Sequence, residues 1–169
     1  MRSLLLLLGL AGWAAAAAPL PHPQVSLVDQ RSLPGWQGSP VGNVRLNGKT
    51  LTSGAMAQLP QVNRTGWVGW IDCSSADPAA GLRIVKGVPI GSRIILKSPS
   101  GSQVTIPAGK PIIEAWGFSP DGLHVVVKSR ALHGPAVIEL FSMKDGTKAG
   151  TSPAFGDHLP AWATGYEDR

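Results

Sequence analysis

The sequence predicts an antiparallel all-β protein. Short runs rich in β-branched and aromatic residues recur along the chain, and Gly, Pro, Ser, Asn or Asp separates one run from the next. Gly and Pro account for 21 and 15 of the 169 residues, which favours many turns over long helices. Residues 54–59 are the one segment whose sequence is compatible with a helical turn. A chain that alternates short strands with turns in this way is typical of antiparallel sheets.

The first 18 residues have the layout of a secretory signal peptide. Arg2 precedes an apolar run that starts at Leu4 and ends in alanines before Pro19. The run is about fifteen residues long, whereas a membrane-spanning helix needs roughly 20. No second apolar run follows. We therefore expect a cleaved leader, export to the periplasm or the extracellular medium, and a mature protein that is not an integral membrane protein.

The mature chain is predicted to begin with a Pro/Gly-rich leader, residues 19–43, with one short strand near 25–28. Residues 44–169 are predicted to form a single all-β domain. Its strands are predicted from the apolar and β-branched runs at 44–46, 67–71, 82–85, 92–96, 103–106, 112–118, 123–128 and 136–141.

Turn signals connect several of these runs. Ser119, Pro120, Asp121 and Gly122 lie between the runs 112–118 and 123–128. Pro at the second position of a turn presets φ, and Gly at the fourth tolerates unusual backbone angles, so a hairpin is predicted here. Asp145 and Gly146 give a similar signal after the next strand.

Tryptophans suggest a repeat. Trp70, Trp116 and Trp162 are spaced 46 residues apart, and a period near 46 fits one four-stranded propeller blade. The predicted repeats are 67–112 and 113–158. Phe118 is an alternative to Trp116 as the partner of Trp162, and coincidence among tryptophans that fill a core is the competing interpretation.

The segment WGFSPDGLHVVV at 116–127, followed by VIELF at 137–141 and DGT at 145–147, resembles a repeat of the TolB-like and WD-repeat β-propellers. The resemblance covers residues 112–148 and is weak over 67–106. It implies an incomplete propeller of two to three blades that acts as a binding platform; a small β-sandwich is the alternative fold. Unclosed blades leave apolar faces half covered, so we expect an oligomer that shares blades, a partner that supplies the missing blades, or a truncated product of marginal stability.

Residues with catalytic potential are few. His22, His124, His133 and His158 lack the spacing of a metal site. Cys73, the single cysteine, follows an apolar run and is predicted to be a buried hydrophobic residue. No nucleophile has a base placed beside it, so the sequence predicts neither an enzyme nor a cofactor.

Charge suggests one surface. Arg2 is the only charged residue before Pro19, so the mature chain carries about +4, a mild charge that together with export argues against nucleic acid. A basic face for an acidic protein or an anionic envelope polymer is one interpretation, and ordinary solvated strand charge is the other. Its residues are Arg83, Lys86, Arg93, Lys97, Lys128 and Arg130.

These patterns favour an exported, non-catalytic binding or scaffold module of the cell envelope or the extracellular medium. The alternative is a truncated or accessory propeller part of an exported enzyme such as a peptidase.

Overall fold

The computed structural model describes residues 22–33, 39–74, 84–85, 88–89, 93–131, 133–156 and 158–168. The predicted signal peptide lies outside these ranges. A 3-10 helix, Ala161–Ala163, follows the last strand. The strands are β1 (Val25–Arg31), β2 (Val41–Leu46), β3 (Lys49–Thr50), β4 (Ala57–Val62), β5 (Val68–Asp72), β6 (Ile84–Val85), β7 (Val88–Pro89), β8 (Arg93–Lys97), β9 (Gln103–Pro107), β10 (Ile112–Phe118), β11 (His124–Arg130), β12 (Val137–Ser142) and β13 (Lys148–Pro153).

The strands form two antiparallel sheets and a separate hairpin. The N-terminal sheet has the order β1-β2-β4-β5-β8-β9, and β3 pairs with β2. The C-terminal sheet is an up-and-down meander in the order β10-β11-β12-β13, and β6 pairs with β7 alone. Neither of the two larger sheets closes on itself. The prediction of an antiparallel all-β fold is confirmed.

The two larger sheets pack face to face. The inner face of the N-terminal sheet contributes Ile71, Ile94 and Ile106, and that of the C-terminal sheet contributes Val125 and Val127, all fully buried. These residues alternate with outward-facing residues along each strand, as the two-residue period of a pleated strand requires. Full burial of each such side chain stabilises the fold by about 1.5–3 kcal/mol.

The outer face of the N-terminal sheet is covered by the beginning of the chain. Val44 of β2 packs with Val68 and Trp70 of β5, and half-buried side chains of β1 complete the cluster. This is possible because β2 meets β4 at a single residue pair, Gly42 with Ala57, so the sheet bends there. A Cβ at Gly42 would lie 2.6 Å from the carbonyl oxygen of Val28, which explains the glycine.

The outer face of the C-terminal sheet is covered by the end of the chain. Val126 and Ile138 of this face pack with Ala163, and with half-buried Trp162 and Tyr166. We call residues 154–168 the C-terminal strap. The described chain therefore has four layers: β1–β3, the rest of the N-terminal sheet, the C-terminal sheet and the strap.

Several predicted elements differ from the observed ones. The predicted helical turn at 54–59 is wrong: Gly54 and Ala55 have φ of +89° and +50°, which no right-handed helix allows, and β4 begins at Ala57. Part of the predicted leader 19–43 belongs to the fold as β1 and the first residues of β2. In the predicted strand 82–85, only residues 84–85 are described, and they pair with β7 instead of joining a larger sheet.

None of the helical segments in the described part of the chain has the length and apolar character needed to cross a lipid bilayer.

Candidate binding site at the turn end of the sheets

Four tight turns lie at the same end of the two packed sheets. In the N-terminal sheet, the turns β4–β5 and β8–β9 are adjacent because Val68 pairs with Lys97. In the C-terminal sheet, the turns β10–β11 and β12–β13 are adjacent because His124 pairs with Ser142. Residues of both sheets line the same clefts there. We call this region the turn end.

The β10–β11 turn is held by its own residues, which confirms the predicted hairpin. The amide of Gly122 donates to the carbonyl oxygen of Ser119 at 3.0 Å, and Gly122 has a φ of +70°. Asp121 Oδ1 accepts from the amides of Leu123 and His124 at 2.8 and 3.2 Å. Asp121 Oδ2 lies 2.7 Å from Nδ1 of His124. The hydrogen bond from the Leu123 amide is the main cause that lowers the pKa of Asp121.

The β12–β13 turn is fixed in the same manner. The amide of Gly146 donates to the carbonyl oxygen of Ser142 at 2.9 Å. Asp145 Oδ1 accepts from the hydroxyl and the amide of Thr147 at 2.7 and 3.0 Å, and these bonds lower the pKa of Asp145. A Cβ at Gly146 would lie 3.0 Å from the carbonyl oxygen of Thr105, so this turn is seated against β9 of the other sheet.

The turns of the N-terminal sheet are equally well bonded. Asn63 Oδ1 accepts from the amide and hydroxyl of Thr65 at 3.0 and 2.9 Å, and from the amide of Trp67 at 2.9 Å. In the β8–β9 turn the hydroxyl of Ser98 lies 2.8 Å from that of Ser100 and 2.6 Å from that of Ser102.

Two clefts open between these turns. One, of about 550 Å³, is bounded by residues 62–65 and by residues 118–122. The second, also about 550 Å³, lies between Trp67, the β10–β11 turn and the β12–β13 turn. Both are lined by Gly122, so they flank one turn tip. Both volumes fall within the range of about 300–1,000 Å³ that ligand sites occupy.

Leu123 is the residue of this region that sequence reasoning missed. Its apolar side chain is 66% exposed although it lies beside the second cleft. The sequence signal was available: a large aliphatic residue directly follows the Pro-Asp-Gly turn, where a solvated turn ordinarily carries a polar residue. Because an exposed leucine gains free energy when a partner covers it, this position is a candidate contact.

The residues predicted as a basic face do not lie on one face. Arg83 and Lys86 are outside the described residues. Arg93 and Lys97 lie two residues before and after Ile95, so they share the outer face of the N-terminal sheet with it. Lys128 and Arg130 lie two and four residues after Val126, so they share the outer face of the C-terminal sheet with it. The two packed sheets separate these pairs.

Three of these cations are also paired with carboxylates. Arg93 Nη2 lies 2.8 Å from Asp72 Oδ2. Lys128, which is 9% exposed, has its Nζ 2.7 Å from Asp168 Oδ1. Arg130 Nη2 donates to Glu114 Oε2 at 2.9 Å. Their charges are thus neutralised within the chain and do not present a positive surface.

The three tryptophans of the predicted repeat occupy different environments. Trp70 in β5 lies in the outer cluster of the N-terminal sheet, and Trp116 in β10 lies in the inner core. Trp162 lies in the 3-10 helix of the strap and not in a strand. Phe118 contacts the edge of Trp116, with ring centroids 5.5 Å apart. The 46-residue spacing therefore does not mark equivalent positions.

The remaining chemistry is sparse. Cys73 is fully buried, as predicted. Within the described ranges, no group of three His, Cys, Asp or Glu side chains could hold a metal ion.

Comparison with family models, with curated proteins and with solved structures gave no match for this chain.

Proposed function

We propose that this protein is an exported, non-catalytic binding module that holds a partner protein at its turn end. The observation that carries the proposal is the pair of clefts, each of about 550 Å³, on the two sides of Gly122. Loops positioned by a rigid scaffold are the usual location of binding residues.

Preorganisation of the turns supports this proposal. Each of the four turns is held by hydrogen bonds among its own backbone and side-chain groups, so little conformational freedom remains to be lost when a partner binds. The second cleft is lined by exposed Leu123, half-buried Trp67 and exposed Lys144. It therefore offers apolar contact beside a cation. A peptide segment with an apolar side chain fits this combination.

The covered outer faces of the two sheets help to distinguish a propeller part from a sandwich. The up-and-down C-terminal sheet has the strand order of a propeller blade, which favours the interpretation as a propeller part. The chain's own β1–β3 layer and strap, however, occupy the faces on which neighbouring blades would pack. We therefore propose a self-contained, two-sheet sandwich as the working architecture, and place the accessory part of an exported enzyme second.

Site-specific photo-crosslinking tests the binding site. A p-benzoylphenylalanine at position 123 places the reactive group beside the second cleft, and the same group at position 49, on exposed β3, is the matched control. We expect one discrete crosslinked protein from the envelope or medium of the source organism for position 123 and none for position 49. Identical products from both positions, or none from position 123, would contradict the proposal.

A further inference from the structure

A further cavity, separate from the two clefts of the turn end, lies on the outer face of the N-terminal sheet. Its volume is about 250 Å³, and none of its lining residues lines either turn-end cleft. Its walls are strands β5 and β8 and the loop that leads into β4. Its lining includes Ser53, Trp70, Asp72, Arg93, Ile95 and Gln103.

Two opposite charges inside the cavity cancel one another. Arg93 donates from Nε and Nη2 to Asp72 Oδ2 at 2.9 and 2.8 Å, and the amide of Ser74 donates to Asp72 Oδ1 at 3.0 Å. Burial raises the pKa of Asp72, but the hydrogen bonds from Ser74 and Arg93 outweigh it and leave that pKa below its ordinary value. The carboxylate is thus ionised at neutral pH and its charge is matched by the guanidinium.

The pair retains hydrogen-bonding capacity. A guanidinium carries five N–H donors, and a carboxylate has about four acceptor positions. Two of the Arg93 donors are used on Asp72, and the Arg93 side chain is 43% exposed, so donors remain for a ligand. The exposed side chains of Ser53 and Gln103 add a hydroxyl and an amide at the wall.

The floor of the cavity is apolar. Trp70 and Ile95 are each 5% exposed, and both belong to the outer cluster of the N-terminal sheet. Half-buried Met56 lines the same cavity from the loop side. A ligand in this cavity therefore contacts an indole and aliphatic groups on one side and polar groups on the other.

We propose that this cavity binds one ring of a neutral saccharide. A sugar ring has apolar C–H groups for the side of the cavity formed by Trp70, Ile95 and Met56, and hydroxyl groups that both donate to Asp72 and accept from Arg93. A charged ligand is disfavoured because it loses hydration on entry while the neutral Arg93–Asp72 pair offers it no net opposite charge. The cavity volume is below the roughly 300 Å³ of the smallest sites for drug-sized ligands. It therefore suits a single sugar ring whose substituents extend into solvent.

The ligand class is tested by NMR titration of the labelled protein. The probes are the methyl glycosides of glucose, galactose and N-acetylglucosamine, with the methyl glycosides of glucuronate, galacturonate and glucosamine as charged counterparts. We expect at least one neutral glycoside to shift the Trp70 indole and Gln103 side-chain signals, and its charged counterparts to bind about tenfold more weakly. The absence of shifts with all three glycosides, or tighter binding of a charged sugar, would overturn the proposal.

Cavity-blocking variants test the location. Ser53→Trp introduces a bulky ring at an exposed loop position that lines the cavity, and Ser26→Trp makes the same change at an exposed position of β1 outside the cavity. We expect glycoside binding to be lost in the first variant and kept in the second, with equal thermal stability. Equal binding by both variants would rule out this cavity. Crosslinking from position 123 should be unchanged in Ser53→Trp, because position 123 lies outside this cavity. A negative result for saccharide binding therefore leaves the proposed partner binding at the turn end untouched, and the reverse also holds.

Discussion

Aromatic side chains lie over glycine residues at three places in the molecule. A Cβ at Gly69 would lie 2.7 Å from Trp116 Cη2, and a Cβ at Gly150 would lie 3.1 Å from Trp162 Cζ2. At Gly117 the added carbon would overlap the hydroxyl of Tyr166. None of these three glycines needs a positive φ, so their requirement is steric. Each one lets an aromatic side chain approach the strand backbone closely.

Gly69→Ala should therefore be destabilising. The new methyl group would meet Trp116 and Leu96 within the inner core, and we expect a loss of about 1–3 kcal/mol in the free energy of unfolding. Urea denaturation measures it. The double variant Gly69→Ala/Trp116→Phe should lose less than the sum of its single variants, because the smaller ring leaves room for the methyl group. Strict additivity would show that the ring does not rest on Gly69.

Asp72 gives a residue-scale pH prediction. Its pKa in the folded protein lies below the ordinary value of 3.8, so the unfolded chain binds the proton more readily. Its contribution to stability is therefore fully present above that ordinary value and is lost as the pH falls through the lower folded-state pKa. Urea midpoints of the wild type and Asp72→Asn should differ at pH 7 and converge at lower pH. A difference that persists unchanged to pH 2 would contradict this assignment.

At the scale of elements, the β10–β11 hairpin depends on backbone freedom at one position. Gly122 has a φ of +70° and no heavy atom within 4 Å of an added Cβ, so crowding plays no part there. Gly122→Val should cost about 1 kcal/mol or more through backbone strain alone. Gly122→Asn, which tolerates a left-handed backbone, is the matched variant and should cost less. Urea midpoints that rank the two in the opposite order would contradict the turn geometry.

The strap is the second element with a testable role. Half-buried Trp162 rests on Gly150, and Asp168 lies 2.7 Å from Lys128 Nζ. We expect Trp162→Ala to lower the free energy of unfolding by about 2 kcal/mol, since half-burial makes the loss smaller than for a core aromatic residue. Hydrogen exchange should accelerate in β12 and β13, whose outer face the strap covers. Unchanged protection of these strands would show that the strap is not needed to cover them.

Strands with a strong local sequence signal could be predicted, whereas strands that depend on pairing with a neighbour could not. The run 112–118 coincides with β10 because its apolar residues mark a buried strand by themselves. β13 was not predicted, because the sequence KAGTSP has little intrinsic strand preference and its conformation depends on pairing with β12. The Pro-Asp-Gly turn was predicted, but the clefts beside it were not, since they depend on how two sheets are stacked.

At the scale of the whole molecule, the covered outer faces change the expected oligomeric state. Self-association through shared blades is one of three outcomes that the sequence predicts for apolar faces left half covered. In the described chain, Trp70 and Val44 are covered by β1–β3, and Val126 and Ile138 by the strap. We therefore expect light scattering after size exclusion to give a monomer with one cooperative melting transition. A stable dimer would instead favour an oligomer in which two copies of the chain share propeller blades.

Export is a prediction for the whole chain as well. Arg2, the leucine run and the alanines predict a mature amino terminus between Ala15 and Pro19. Amino-terminal sequencing of the secreted protein checks this directly. Recovery of Met1 on the folded protein would contradict the cleaved leader.

The order of strand pairing has a kinetic consequence. Every ladder in the two larger sheets joins strands that are close along the chain, and the widest step in the series, from β5 to β8, passes over only β6 and β7. Because short loops close with a small entropic cost, each pairing between neighbouring strands requires little loss of chain entropy. The β1–β3 layer precedes the strands that it covers along the chain, whereas the strap follows the sheet that it covers. Each sheet can thus be completed from strands that are near neighbours along the chain, which shortens the time for which unpaired strand edges are exposed to aggregation.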